Sequence, residues 1–115
     1  EEAERLLRQA LELAPQHPRV ANGLASFLAD QRLKLDEALA LATRAVQSAP
    51  NDQEFLDTLG WVQAQRGDLD AAERTLQRAL ELAGQEPPAH EIRQHLEQAR
   101  ARKRTSETNI PTKTP

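Results

Sequence analysis

Along this chain leucine, alanine and valine recur at the three- and four-residue spacing of a helix, and each apolar stripe is cut off by a proline, a glycine or a short polar turn. The stretch Leu56 to Leu82, LDTLGWVQAQRGDLDAAERTLQRALEL, shows this most clearly. Leu56, Leu59, Gly60 and Val62 share one stripe; beyond Arg66-Gly67-Asp68, Leu69, Ala72, Leu76, Ala79 and Leu80 share another. Glycine adopts the left-handed conformation that ends a helix, and Asp68 is placed to cap the free N–H groups of the next one, so the stretch predicts a helical hairpin. Gly60 costs about 1 kcal/mol against alanine in a helix interior. Close approach of the two helices at Gly60 and Ala72 is the natural reason for it.

The same patterning predicts the remaining elements. Residues 1–14 form an amphipathic helix with Glu1, Glu2 and Glu4 at its positive end. A second helix runs from about Pro18 or Arg19 to Gln31, and a third from about Leu35 to Ala49 with Asp36 and Glu37 in its first turn. Asp52 is expected to cap the fourth. Gly84 to Pro88 reads as a linker, and Pro88 suits the first turn of a last helix that continues to about Arg104. That helix has a thin apolar stripe of Ala89, Ile92, Leu96 and Ala99 and an otherwise polar surface, as the end of a stacked array requires. Residues 105–115, TSETNIPTKTP, hold one apolar side chain, Ile110, and are expected to be disordered.

Internal comparison orders these elements into units. Leu24-Ala25-Ser26-Phe27 superposes on Leu59-Gly60-Trp61-Val62 at a shift of 35, whereas Ala38, Ala45 and Val46 superpose on Ala72, Ala79 and Leu80 at a shift of 34. The first hairpin therefore has one extra residue in its turn, near Arg32 to Leu35. Ala3, Ala10, Leu11, Ala14 and Pro15 lie 35 before Ala38, Ala45, Val46, Ala49 and Pro50, which makes the N-terminus a second helix without its first. The units are then 1–15 (an incomplete repeat), 18–50, 52–84, a capping helix 88–104 and the tail 105–115. Leu6, Leu7, Leu11 and Leu13 lie on the unpaired helix, so more repeats are expected upstream in a longer parent chain, or else pairing with a second copy.

These residues resemble the tetratricopeptide repeat. One unit carries Leu56, Leu59-Gly60, Gly67-Asp68, Ala72, Leu76 and Ala79; the other carries Leu24-Ala25, Leu28, Ala38, Ala42, Ala45 and Pro50. Gln63 departs from the aromatic or leucine the family prefers, Gly84 from its closing proline, and the first turn lacks glycine. The resemblance covers roughly residues 1 to 100. It implies an all-α, right-handed helical-hairpin solenoid of about six helices including the cap, whose first helices line a concave groove. It implies a non-catalytic scaffold that binds a peptide or partner protein there.

Composition fits this picture and narrows it. Phe27, Phe55 and Trp61 are the three aromatic residues, so the core must be leucine and alanine ridges packed in grooves. The formal net charge of −3, with mixed signs, argues against nucleic acid as a partner, and no apolar run approaches the roughly 18 residues needed to insert in a membrane. Cysteine is absent, which excludes thiolate chemistry. No histidine is placed to activate Ser26 or Thr75, and no phosphate-binding glycine loop exists, so neither an enzyme, a cofactor nor a metal is expected. The style of the sequence resembles bacterial repeat proteins, including ones that accompany envelope polysaccharide secretion; the compartment is open between cytoplasm and periplasm.

The groove stripes implied by the resemblance are Asn22, Ser26 and Asp30, with Arg19 at their start, then Glu54, Asp57, Trp61 and Gln65. His90, Gln94 and Gln98 of the cap are expected to extend them. Trp61 suits equally an apolar anchor for a partner and core packing against the second helices. A subclass of the family grips chaperone C-terminal carboxylates with lysine and asparagine; here the stripes lack lysine, and Asp30, Glu54 and Asp57 favour a basic or neutral peptide instead. His17, His90 and His95 read as solvated surface residues, although Glu91 and His95 are one turn apart. Arg100, Arg102, Lys103 and Arg104 read as cations favoured at a helix C-terminus. The alternative to a scaffold is a structural spacer, or a segment that self-associates through the N-terminal helix.

Overall fold

The protein is described by a computed structural model over residues 2–108. Six helices follow one another: α1 (Glu2–Leu13), α2 (Pro18–Gln31), α3 (Leu35–Ser48), α4 (Gln53–Arg66), α5 (Leu69–Ala83) and α6 (Pro88–Thr108). Consecutive helices pack antiparallel, and α2 and α4 also touch, as do α4 and α6. The backbones of α3 and α5 do not come into contact among the described residues. The first helices of the units thus lie side by side while the second helices splay apart, so the surface over α2, α4 and α6 is the inner curve of an elongated body of 59 × 33 × 22 Å.

The stripes read from the sequence form the interior. Leu24, Ala25, Leu28, Ala38, Ala42, Ala45, Val62, Ala64, Ala72, Leu76 and Ala79 are fully buried, and Ala89, Ile92, Leu96 and Ala99 of α6 join the same core. Alanine on one helix opposite leucine on the next lets the backbones approach, which a core with few rings requires. The closest approach is at Gly60: a Cβ there would stand 2.5 Å from Leu76 Cγ and 2.7 Å from its Cδ2. The atoms nearest that position belong to Leu76 of α5, one turn beyond Ala72, which is itself fully buried.

Both hairpins end their first helix in the same way. Gly67 N–H donates to Ala64 O at 3.1 Å and Asp68 N–H to Gln63 O at 2.9 Å; Arg32 N–H donates to Ala29 O at 3.1 Å and Leu33 N–H to Leu28 O at 2.9 Å. These bonds satisfy orphan carbonyls at the helix end and require a left-handed residue at the bend. Gly67 supplies it with φ 93°; Arg32 takes the same place with φ 54°. The second turn is complete with Asp68, whereas the first needs Arg32, Leu33 and Lys34, the last again left-handed at φ 47°.

The caps divide. Asp52 Oδ1 accepts from Glu54 N–H at 2.9 Å and Phe55 N–H at 3.0 Å, as its position predicts. Asp68 precedes α5 but makes no side-chain cap hydrogen bond, because its carboxylate is drawn to the Arg66 guanidinium. At the other end, α6 extends to Thr108, past the Arg104 at which the sequence stops it. Lys103 Nζ sits 2.8 Å from Asp70 and Arg100 Nε 2.8 Å from Glu73, so the helix is fastened to α5 near its end, and continuing it adds one backbone bond per residue without a new nucleus. The rest of the expected tail, 109–115, lies outside the described residues.

Candidate binding groove

Between α2, α4 and α6 the inner curve holds a cleft of about 320 Å³ lined by Asn22, Gly23, Ser26, Asp30, Glu54, Asp57, Thr58, Trp61, Glu91 and His95. Six of the seven residues expected in a groove line it; Gln65 does not. A second cavity of about 360 Å³ shares Glu54, Asp57 and Glu91 and runs on between the starts of α4 and α6, over Pro87, Pro88 and Ile92.

Trp61 has the firmest place in the site. Its side chain is buried, with 9% of the residue exposed. The indole Nε1–H donates to Asp30 Oδ1 at 2.9 Å. The His95 ring stacks on the indole, centroids 4.4 Å apart and planes 19° from parallel. The Arg102 guanidinium lies 5.8 Å from the indole centroid, and its Nη1 donates to Ala64 O at 3.0 Å. An indole closed in by a ring, a guanidinium and a hydrogen bond is committed to holding α2, α4 and α6 together. Of the two roles open to Trp61 from the sequence, packing is the one these contacts support.

The other residues fall into two groups. Gln65 Nε2 donates to Ala29 O at 2.8 Å, so this side chain ties α4 to the end of α2 rather than facing the cleft. Asp57 Oδ1 lies 2.8 Å from His95 Nδ1. By contrast Ser26 is half-buried, Glu54 and Glu91 are exposed, and Asn22 is buried. Arg19 stands at the rim, 3.6 Å from Glu54 and with its guanidinium 5.9 Å from the Phe55 ring centroid.

The contribution of the cap differs from the expectation. His90, Gln94 and Gln98 are exposed and line neither cavity; Glu91 and His95 do. The period applied once more would have found them, for Asn22, Asp57 and Glu91 are spaced by 35 and 34, and so are Ser26, Trp61 and His95. His95 is thus no solvated surface residue. Burial acts to lower its pKa, but the hydrogen bond to Asp57 and the charges of Asp57, Glu91 and Asp30 outweigh it and raise the imidazole above its ordinary value. His17 likewise has a structural place, accepting from Arg19 N–H at the start of α2. Three basic residues at the end of α6 are anchors, Arg100 on Glu73, Lys103 on Asp70 and Arg102 on Ala64 O, while Arg104 pairs with Glu97 of its own helix.

Two family models, both described as tetratricopeptide repeat, match residues 34–96 and residues 1–53. A curated TPR repeat-containing protein of Pseudomonas aeruginosa is 36% identical over 93 residues, covering 81% of this chain and 15% of that protein. The chain thus spans about 15% of the length of the curated relative it matches. Among solved structures, the TPR2B-domain:pHsp70 complex of yeast Sti1 superposes with a TM-score of 0.72 at 22% identity, covering 87% of this chain and 82% of that one. A MamA structure (MSR-1, C2) gives 0.59 at 21% identity, covering 90% and 67%. At such identities these two likenesses speak for the fold.

Proposed function

The chain belongs to the tetratricopeptide repeat family, and from that premise we propose that it is a non-catalytic interaction scaffold that holds a peptide segment of a partner protein in the groove over α2, α4 and α6. One observation carries this reading. The cleft gathers polar side chains from three separate units, and packing accounts for Trp61 and Gln65 but leaves Asn22, Ser26, Glu54 and Glu91 facing it. Side chains recruited from three helices to one concavity suit an extended ligand that crosses all three. The Sti1 neighbour is itself a complex with pHsp70, which agrees in kind.

The test is capture of a partner with this chain as bait, comparing the unaltered protein with Glu54→Lys/Glu91→Lys and with Arg74→Glu on the exposed side of α5. Both glutamates are exposed, so helicity should survive in the groove variant. The expected outcome is a partner lost by the groove variant alone. A partner retained by the groove variant and lost by the α5 variant would place the interface on the outer face.

Self-association through α1 has an observation in its favour as well. Leu6 is 52% exposed and Leu13 88%, whereas Leu7 and Leu11 pack against the core. A charge at Leu6 and Leu13 is thus the proper probe, since one at Leu7 or Leu11 would disturb the fold. Sedimentation that depends on concentration, and ceases to in Leu6→Glu/Leu13→Glu, would establish this second mode.

A further inference from the structure

Resting on that groove reading, we infer that the cleft selects a partner segment carrying an arginine or lysine side chain, held among Asp30, Glu54, Asp57 and Glu91 while Asn22 binds the adjacent peptide backbone. Four carboxylates face one cleft, and each has a definite state. The Trp61 indole fixes Asp30 through one oxygen, and His95 fixes Asp57 in the same way. Glu54 has only the loose contact with Arg19 at the rim, and Glu91 forms no ion pair among the described residues. His95 on Asp57, Arg102 over the indole and Arg19 at the rim offset part of this charge, but four carboxylates against these three groups leave the cleft acidic on balance, and a guanidinium with five donors can satisfy several at once.

A cluster of acids is common on a protein surface; Asn22 is what sets this one apart. Only 7% of the residue is exposed, it lines the same cleft, and its Oδ1 is buried with no hydrogen-bond partner among the described residues. A buried amide left unpaired destabilises the free protein, and an apolar side chain would serve packing better at that position. An amide offers both an acceptor and donors, which is what a peptide backbone requires. At the equivalent positions of the next two units stand Asp57 and Glu91, so the backbone-holding and cation-holding groups lie along one line of the groove.

The experiment titrates the isotope-labelled chain with short blocked peptides identical except for a central arginine, citrulline or glutamate. The arginine peptide should shift the Trp61 indole and Asn22 side-chain resonances saturably, with the citrulline and glutamate forms much weaker. Glu54→Gln/Glu91→Gln should weaken the arginine peptide about tenfold, the combined effect of two exposed ion pairs. Asn22→Leu should also weaken it while leaving the melting temperature unchanged or higher, which a merely structural asparagine would not do. If all three peptides shift the groove alike, charge selection is overturned and the groove reading stands. If the arginine peptide shifts nothing there, or shifts another face, the inference fails, and the groove reading is then judged by the partner capture above.

Discussion

Gly60 and Arg32 show how two single residues set the geometry of a hairpin. Gly60 admits Leu76, and a methyl group there has no room. Gly60→Ala improves helix propensity by about 1 kcal/mol yet overpacks the crossing, so a net destabilisation of about 1–3 kcal/mol is expected, read from urea unfolding followed by helical circular dichroism. Arg32 occupies the left-handed bend that Gly67 occupies in the next unit. Arg32→Gly should therefore stabilise by about 0.5–1 kcal/mol, the relief of backbone strain less the freedom glycine adds to the unfolded chain. The need for a packing reason at Gly60 was legible in the sequence, because a poor helix former inside a strong pattern demands one. The left-handed Arg32 was not, because the bend is imposed by where α3 must return, against the residue's own preference. The missing cap bond at Asp68 was not legible either, because local pattern does not reveal that Arg66 competes for the carboxylate.

At the scale of the element, α6 is the instructive case. Its apolar stripe identified it as a cap, and those four residues are buried as the spacing implied. Its inward polar face is not set by the apolar stripe: Glu91 and His95, which lie 34 residues after Asp57 and Trp61, line the cleft, while His90, Gln94 and Gln98 are turned to solvent. His95 joins the two descriptions, because it both docks α6 on Trp61 and faces the cleft. Its pKa is raised in the folded protein, so its contribution to stability is complete below the unfolded value near 6.5 and is lost as pH rises through the folded value. Burial opposes the rise, and the groups that outweigh it are Asp57 from α4, Glu91 from α6 and Asp30 from α2. Proton NMR should find His95 titrating above 6.5, and denaturation midpoints should be higher at pH 6 than at pH 8. Asp57→Asn should reduce that difference.

The molecule as a whole is a short arc whose two ends are unlike. α6 is joined to α5 by ion pairs and carries four buried apolar residues. α1 has no fully buried residue and is held partly by polar bonds, with Arg8 reaching Glu37 of α3 at 2.8 and 2.9 Å and Glu4 accepting from Lys34 at 3.0 Å. Salt should therefore loosen α1 before the rest, with amide hydrogen exchange in α1 rising at high ionic strength while that in α4 and α5 is unchanged. The order of helices and the core were legible because a solenoid's stability comes from neighbour contacts that recur in the sequence. The groove was legible only as a set of stripes: which side chains packing would claim depends on contacts between units, such as Trp61 with Asp30 and His95, that no single unit contains. The measurement that tests the central claim most directly is the footprint of a captured partner on the isotope-labelled chain. The largest shifts are predicted at Asn22, Ser26, Asp57, the Trp61 indole and Glu91; shifts confined to the outer faces of α3 and α5 would contradict it.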